Sequence, residues 1–350
     1  MSTPIAPADL AAFVRAAGEK AGLSPEAADT LAEPLVLADM MGVHTHGTKL
    51  LAGYLRKLLA CGYRPTGVPK IVREGPAWAV VDGDAALGQV GCTMAMRLAI
   101  AKAKQVGVAS VSIRNTGHIG AAGYYALMAA REGCLGLVAG NDIPTVAAPG
   151  SRGAVFGSNP LAYAAPVPGG DPLLFDISTA AVAGGKVYAA VARGEPIPGD
   201  WLIGEDGRPT SDGSLYPAKA VLAPMAGHKG YGFAMFAELL SGVLSGGMVA
   251  LQVGHWMVDP PEVPSRHSAG FVVIDVEAIC DREAYAAAMN TIVRHVHGAP
   301  TVAGIERVFL PGELEWRRHK AAASAGIPLP ADVREKLAAA AALVGLASPA

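Results

Sequence analysis

Two short runs rich in β-branched residues, 78-WAVVDG-83 and 108-VASVSIR-114, alternate with Ala-rich stretches of helical length near residues 90 to 105 and 121 to 132. Strand and helix periods in alternation require helices laid on a sheet, so this part of the chain forms an α/β body. What precedes it is helical. Leu10, Phe13, Val14 and Ala17 share one face of a helix over residues 8 to 20, and Gly22 is its stop. Ser24-Pro25-Glu26 opens a second helix, running to about Met41, with a hydroxyl N-cap, a first-turn proline and an acid at the positive dipole end. The Pro/Gly-rich link 62-GYRPTGVP-69 separates these helices from the body. Residues 145 to 230 are rich in proline and glycine with short strands such as LLFDIS, the texture of strands and loops lining a site. The strand 270-GFVVIDV-276 precedes helices near 281 to 296, 313 to 324 and 331 to 344.

A formal net charge of -2 over 350 residues, with no cluster of Lys or Arg, argues against a nucleic-acid partner and for small-molecule chemistry. The N-terminal MSTPIAPADL has neither a basic region nor an apolar run of signal-peptide type, so a cytoplasmic location is expected. Cys61, Cys92, Cys134 and Cys280 are far apart, which fits buried free thiols. The apolar stretch 233-FAMFAELLSGVLSGGMVALQVG-254 contains Glu238 and four glycines and reads as a buried core helix with a following loop, not a membrane span.

The stretch 36-VLADMMGVHTHGTKLLAGYLRKL-58 sets His44 and His46 two residues apart. On a helix such residues diverge by about 200°, so they share a metal ion only if Gly42 breaks the helix first, and no later H-x-x-H or acidic cluster completes a shell. No metal is expected; both histidines also read as solvated residues at a helix boundary. His46 lies in T-H-G, where Gly47 allows close approach of another backbone or a ligand, and histidine titrates where acid/base catalysis needs it. A second cluster, 117-GHIGAAGYY-125, follows a strand; its glycines offer free N–H groups to a pyrophosphate or serve close strand–helix packing. The spacing is G-x-x-G-x-x-G and no acid ends a strand about 20 residues on, so a Rossmann unit is not supported. Asn159, Asp176 and Lys229 are polar groups in apolar settings. Asp176, after LLF, either orients an imidazole or caps a turn, and Lys229 between glycines suits a phosphate.

Six collinear segments, 39-DMMGVHTHGTKLLAGY-54, 117-GHIGAAGYY-125, 157-GSNPLAYAAP-166, 175-FDISTAAVAGGKV-187, 226-AGHKGYGFAMFAELLSGVLSG-246 and 310-LPGELEWRR-318, resemble the malate/L-lactate dehydrogenase family of NAD(P)-dependent oxidoreductases. That family also holds ureidoglycolate, sulfolactate and diketogulonate enzymes and the piperideine and pyrroline carboxylate reductases. The resemblance implies a non-Rossmann α/β NAD(P)-binding domain (71–279) and a helical domain built from the N-terminal region (1–70) and the C-terminal helices (280–350). It implies a homodimer, NAD or NADP as cofactor and a small-molecule substrate, with no nucleic acid or membrane partner. By position His46 matches the proton donor and acceptor at the substrate's C2 oxygen or nitrogen, and His118 the second active-site histidine. Asp176 joins them in the catalytic set. Asn141, Asp176, Ile177, Ser178, His228, Lys229, Pro311, Gly312 and Glu313 match cofactor-contacting positions, and Thr45, Lys49, Tyr54 and Asn159 are the expected substrate contacts.

One departure bears on substrate. Where the family carries arginines, this chain has Met41 and Leu50, with Lys49 one place earlier and Tyr54 kept. A bidentate clamp for a substrate carboxylate is therefore missing there, and a lysine shifted by one residue on a helix points about 100° away. The expected reaction is hydride transfer between a nicotinamide and C2 of a 2-hydroxy/2-oxo acid or cyclic imino acid. On the residues alone, two other readings stay open: a metal-dependent hydrolase using His44 and His46, and a non-catalytic nucleotide-binding homologue.

Overall fold

The computed structural model describes residues 3–349. The chain opens with α1 (Pro7–Lys20), α2 (Pro25–Met40), two 3-10 turns (His44–His46 and Thr48–Leu50) and α3 (Leu51–Leu59). Ser24 Oγ accepts the Ala27 N–H at 3.2 Å, the cap expected at the start of α2. Then follow β1 (Lys70–Gly75), β2 (Trp78–Asp82), α4 (Gly88–Val106), β3 (Val108–Thr116), α5 (Ala122–Arg131) and β4 (Cys134–Gly140). Short strands come next: β5 (Val146–Ala147), β6 (Ala154–Phe156), β7 (Leu161–Ala165) and β8 (Leu173–Ile177). After α6 (Gly184–Ala192) run β9 (Leu202–Gly204), β10 (Pro209–Thr210) and β11 (Ala220–Leu222), then α7 (His228–Glu238) with a π turn at Leu239–Val243. β12 (His267–Asp275), the short α8 (Val276–Ile279), α9 (Arg282–His297), α10 (Glu313–Ala325) and α11 (Ala331–Val344) complete the fold.

The larger sheet has seven strands in the order β1-β2-β3-β12-β4-β7-β8. Every neighbouring pair in it is antiparallel except β2 with β3. Its central strand, β12, is buried along almost its whole length because both faces are covered. On one face Cys92, Ala95, Met96 and Ala99 of α4 and Tyr125, Ala126 and Ala129 of α5 meet Val111, Ile113, Val138, Phe271 and Val273. On the other, the π turn comes so close that a Cβ on Gly270 would lie 2.3 Å from the Leu240 carbonyl oxygen, so only glycine fits. A second sheet, in the order β10-β9-β11-β5-β6, holds the Pro/Gly-rich region and is also mixed, with β11 parallel to β5.

Helices from both chain ends share one apolar cluster. Leu10, Leu31, Leu35, Leu51, Leu55 and Leu58 pack with Val333, Leu337 and Ala341, and each buried leucine contributes roughly 1.5 to 3 kcal/mol. Ile5 and Ile327 exchange backbone hydrogen bonds (3.1 and 2.8 Å) and tie the two ends together.

Two sequence expectations need correction. Cys92 and Cys134 are buried, but Cys61 is exposed, just beyond α3 at φ 59°. The stretch 233–254 is not a buried core helix. Small or polar residues (Ala234, Ala237, Ser241, Gly242) face the sheet, while Phe233, Phe236, Leu239, Val243 and Leu244 point outward and are exposed. The backbone runs too close to β12 for large side chains to fit between, so the large ones turn to the surface. Among the described residues no helix is long and apolar enough to cross a membrane.

Candidate active site

Met40 ends α2, and Gly42, at φ 76°, turns the chain into the two 3-10 turns. Asp39, 1% exposed, holds them in place. Its carboxylate accepts His44 Nδ1–H (2.8 Å), the Thr48 N–H (2.9 Å) and Thr48 Oγ1–H (2.6 Å). His44 is thus not a free surface residue; through Nδ1 it is part of the brace. Gly47 is needed for the same reason: a Cβ there would lie 2.1 Å from Asp39 Oδ1, so the group that approaches it is this carboxylate, not a ligand. On this braced turn His46 stands half-buried, with Nδ1 3.2 Å from Thr45 Oγ1. Among the described residues no three His, Cys, Asp or Glu gather in metal-holding geometry.

The His46 ring faces that of His118, centroids 6.4 Å apart and planes 24° from parallel. His118 follows β3 in a loop whose glycines are not a free phosphate cradle. Gly117 N–H donates to the Ala86 carbonyl (3.0 Å) and Gly123 N–H to Asp176 Oδ2 (2.7 Å). His118 stacks on Trp256 (4.7 Å), and its Nδ1 lies 2.8 Å from Tyr54 Oη. Burial pushes the His118 pKa down to about 3; Asp142 opposes this, while His267 and His46 add to it. Burial also holds the Tyr54 phenol far above its usual range, so the proton stays on the tyrosine. Tyr54 therefore donates to Nδ1, and the neutral imidazole carries its proton on Nε2.

Asp176 is the penultimate residue of β8. The residue as a whole is exposed, yet the protein packed around its carboxyl raises the pKa, against the Gly123 N–H and the charge of His46, which lower it. His46 and His118 are thus in ring contact, and Asp176 is bonded to the Gly123 N–H of the segment that follows His118.

The structure adds residues that sequence reasoning missed. His118 N–H donates to Tyr63 Oη (3.0 Å), which lies 3.0 Å from Ser265 Oγ. Ser265 Oγ is 2.9 Å from His267 Nδ1, and His267 Nε2 is 3.4 Å from Asp142 Oδ1. Each link fixes the next, because Tyr63 accepts from the backbone and must donate onward. The loop bearing Trp256 and Ser265 is stapled to α3 by Lys57, whose buried ammonium donates to the carbonyls of Pro260 (3.0 Å) and Val263 (2.8 Å). Burial lowers the Lys57 pKa, with Asp259 and Glu262 opposing.

Most of the expected cofactor positions lie on or beside β8. Ala181 N–H bonds to Ala223 O (2.7 Å) and Met225 N–H to Thr179 O (2.9 Å), which lays the segment after Asp176, Ile177 and Ser178 beside the one leading to His228 and Lys229. Leu174 N–H bonds to Pro311 O (3.2 Å), and Gly312 packs against Leu174. The Glu313 carboxylate is engaged internally by His297 (3.0 Å), Arg307 (3.0 Å) and the Leu310 N–H (2.7 Å). Burial raises its pKa, but those donors outweigh it and hold it below the usual range.

Three expected contacts are occupied elsewhere. Lys49 Nζ is bound to Asp332 Oδ2 of α11 (2.7 Å), and the neighbouring Leu50 packs against the helical cluster. Asn159 is fully buried: its amide donates to Glu238 Oε2 (2.8 Å) and Ala234 O (3.1 Å), and its oxygen accepts the Asp142 N–H (3.1 Å). Asn141 is likewise used up, donating to Met248 O and accepting from Ser268 N–H, both at 2.8 Å. Thr45 is exposed beside His46, and Tyr54 touches His118 as described.

The sequence profile described as malate/L-lactate dehydrogenase matches residues 5–338. The malate dehydrogenase of Pyrococcus abyssi is 35% identical over 336 residues, covering 94% of this chain and 91% of that protein. The NAD(+) ureidoglycolate dehydrogenase of Escherichia coli strain K12 is 35% identical over 318 residues, 91% of this chain and 90% of that one. The crystal structure of the Δ1-piperideine-2-carboxylate reductase of Pseudomonas syringae superposes with a TM-score of 0.86 at 31% identity, covering 96% of this chain and 99% of that one. With the family profile spanning nearly its whole length, the chain belongs to the malate/L-lactate dehydrogenase family.

Proposed function

We propose that the protein is a cytoplasmic NAD- or NADP-dependent oxidoreductase acting at C2 of a small 2-hydroxy/2-oxo acid or cyclic imino acid. The observation that carries this reading is the facing pair His46 and His118, with the Asp176 carboxylate bonded to the Gly123 N–H five residues beyond His118, on the strand beside which the segment leading to His228 and Lys229 and the Pro311 turn lie. A reduced nicotinamide supplies the hydride when bound. His46 gives a proton to the C2 oxygen or nitrogen during reduction and takes it back in the reverse direction. Neutral His118 offers its Nε2–H to orient the same atom, and Asp176 stabilises His46 while it is charged. Holding the reactants together can remove about 7 to 11 kcal/mol of barrier, and proton transfer adds about 10²- to 10⁴-fold.

The chain's own features suit a dinucleotide without a Rossmann fingerprint. α7 follows Gly227 with no side-chain cap; the Gly230 N–H is taken by the Met225 carbonyl (3.0 Å), and Lys229 in its first turn is exposed and makes no ion pair among the described residues. We assign nucleotide binding to residues 71–279 and a helical domain to residues 1–70 with 280–350. The reading is tested by purified protein, a panel of 2-oxo acids and cyclic imines, and both reduced nicotinamides, followed by loss of nicotinamide absorbance. Turnover with one pairing is expected; no turnover and no nicotinamide binding overturns it.

The outward-facing apolar row of α7 and the π turn supports a homodimer, since a patch of this kind seldom stays in water on a soluble enzyme. Sedimentation at micromolar concentration should give twice the chain mass. A stable monomer overturns the dimer.

A further inference from the structure

Asp142 is a charged group joined to His118 through His267 that the proton transfer does not use. It lies in the link from β4 to β5, where the chain passes from one sheet to the other. Its carboxylate accepts the Ile143 N–H (2.8 Å) and the Ser158 hydroxyl (2.7 Å), with His267 Nε2 at 3.4 Å. The edge of His267 meets His118 with ring centroids 5.6 Å apart. The His267 side chain is 0% exposed, but that of Asp142 keeps 19%, so the acid is the solvent-accessible member of this pair. Burial alone would raise the Asp142 pKa; the hydrogen bonds from His267 and Ser158 outweigh it and hold the group well below the usual carboxylate range. Its charge also acts on Tyr54, Tyr63 and Tyr216.

Three cations of the surrounding elements are otherwise engaged. Lys49 is bound to Asp332, Lys57 to two carbonyls, and Arg114 to Asp82 and the Ser245 carbonyl. Leu50 is apolar. The Asp142 charge repels a substrate carboxylate and attracts a nitrogen that becomes positive beside C2, so it weighs against a dicarboxylate and for an imine.

We infer that Asp142 is a specificity-determining residue that favours a C=N substrate, whose nitrogen is cationic when protonated, over 2-oxo dicarboxylates. This deepens the proposed function and rests on it. A proton from His46 converts the imine nitrogen to C=N–H⁺, hydride from the reduced nicotinamide adds to C2, and the π pair moves onto nitrogen. The products are the neutral amine and the oxidised nicotinamide. Asp142 stabilises the positive charge that exists on nitrogen before the hydride arrives, an advantage a neutral ketone does not share.

The test compares kcat/KM for Δ1-piperideine-2-carboxylate and oxaloacetate in wild type and Asp142→Asn, and the binding of L-pipecolate and L-malate to both proteins by calorimetry. Wild type should favour the imine by about 10²-fold or more, and Asp142→Asn should cut that ratio at least about 10-fold while weakening L-pipecolate and not L-malate. An unchanged ratio in folded Asp142→Asn, or a wild type that prefers oxaloacetate, overturns the inference and leaves hydride transfer intact. If Asp142→Asn does not fold, the wild-type preference and its L-pipecolate against L-malate affinities decide. Absence of turnover with every imine and oxo acid overturns the underlying reading instead.

Discussion

His46→Ala should lower turnover by at least about 10²-fold while leaving folding and nicotinamide affinity unchanged. His46 belongs to no core cluster, its turn is held by Asp39 through His44 and Thr48, and among the described residues its ring nitrogen bonds only the adjacent Thr45. Removing the imidazole therefore takes away chemistry without opening a cavity. The competing candidate is His118. With its pKa pushed down to about 3 it is neutral at every pH near 7, so it has no proton to give as an imidazolium, and its Nδ1 is occupied by Tyr54. His118→Ala should then cost less than His46→Ala in turnover and more in stability, because His118 packs between Trp256 and His267. Measured side by side, near-wild-type turnover in His46→Ala with a collapse in His118→Ala would reverse the assignment.

Where signals were local, the sequence was readable. Ser24-Pro25-Glu26 foretold α2 because a cap is settled within four residues, and the last helices begin within a residue or so of where turn and charge patterns put them. The 233–254 stretch was misread because apolar content does not say which side of a helix faces the sheet. Spacing required small residues inward, and the large ones went outward. In the site, the T-H-G motif and the histidine after β3 were legible as candidates. Asp142 was missed although it follows an apolar strand just as Asp176 does, and His267 and Trp256 were missed because only tertiary packing brings them to His118. Asn159 and Asn141 looked like ligand contacts, yet each amide is consumed by backbone and side-chain groups far along the chain. A polar residue in an apolar run announces burial with partners and does not say whether the partner is a ligand or the protein itself.

Gly47→Ala carries the largest expected stability effect. Gly47 has φ -87°, a value alanine adopts freely, so the obstacle is not the backbone conformation. It is the Asp39 carboxylate, whose Oδ1 and Cγ lie 2.1 and 2.5 Å from where the new methyl would be. Asp39 is buried and has no path to water, so moving it strips the Thr48 N–H and hydroxyl and His44 of their acceptor and leaves a charge without donors. Breaking such a buried arrangement costs about 3 to 5 kcal/mol, and the turn bearing His46 shifts with it, so turnover falls too. Gly42→Ala is the control. Its φ of 76° is strained for alanine, but the group it meets first is the flexible Arg318 side chain, at 2.8 Å, so a loss of only about 1 kcal/mol is expected. The decisive comparison is the pair with Asp39→Ala, read by urea denaturation. If steric conflict with the carboxylate is the cause, adding Gly47→Ala to Asp39→Ala should cost far less than Gly47→Ala does alone, a coupling of more than about 1 kcal/mol. Additive losses in the double variant would mean the methyl offends something other than Asp39, and the brace would lose its explanation for the glycine.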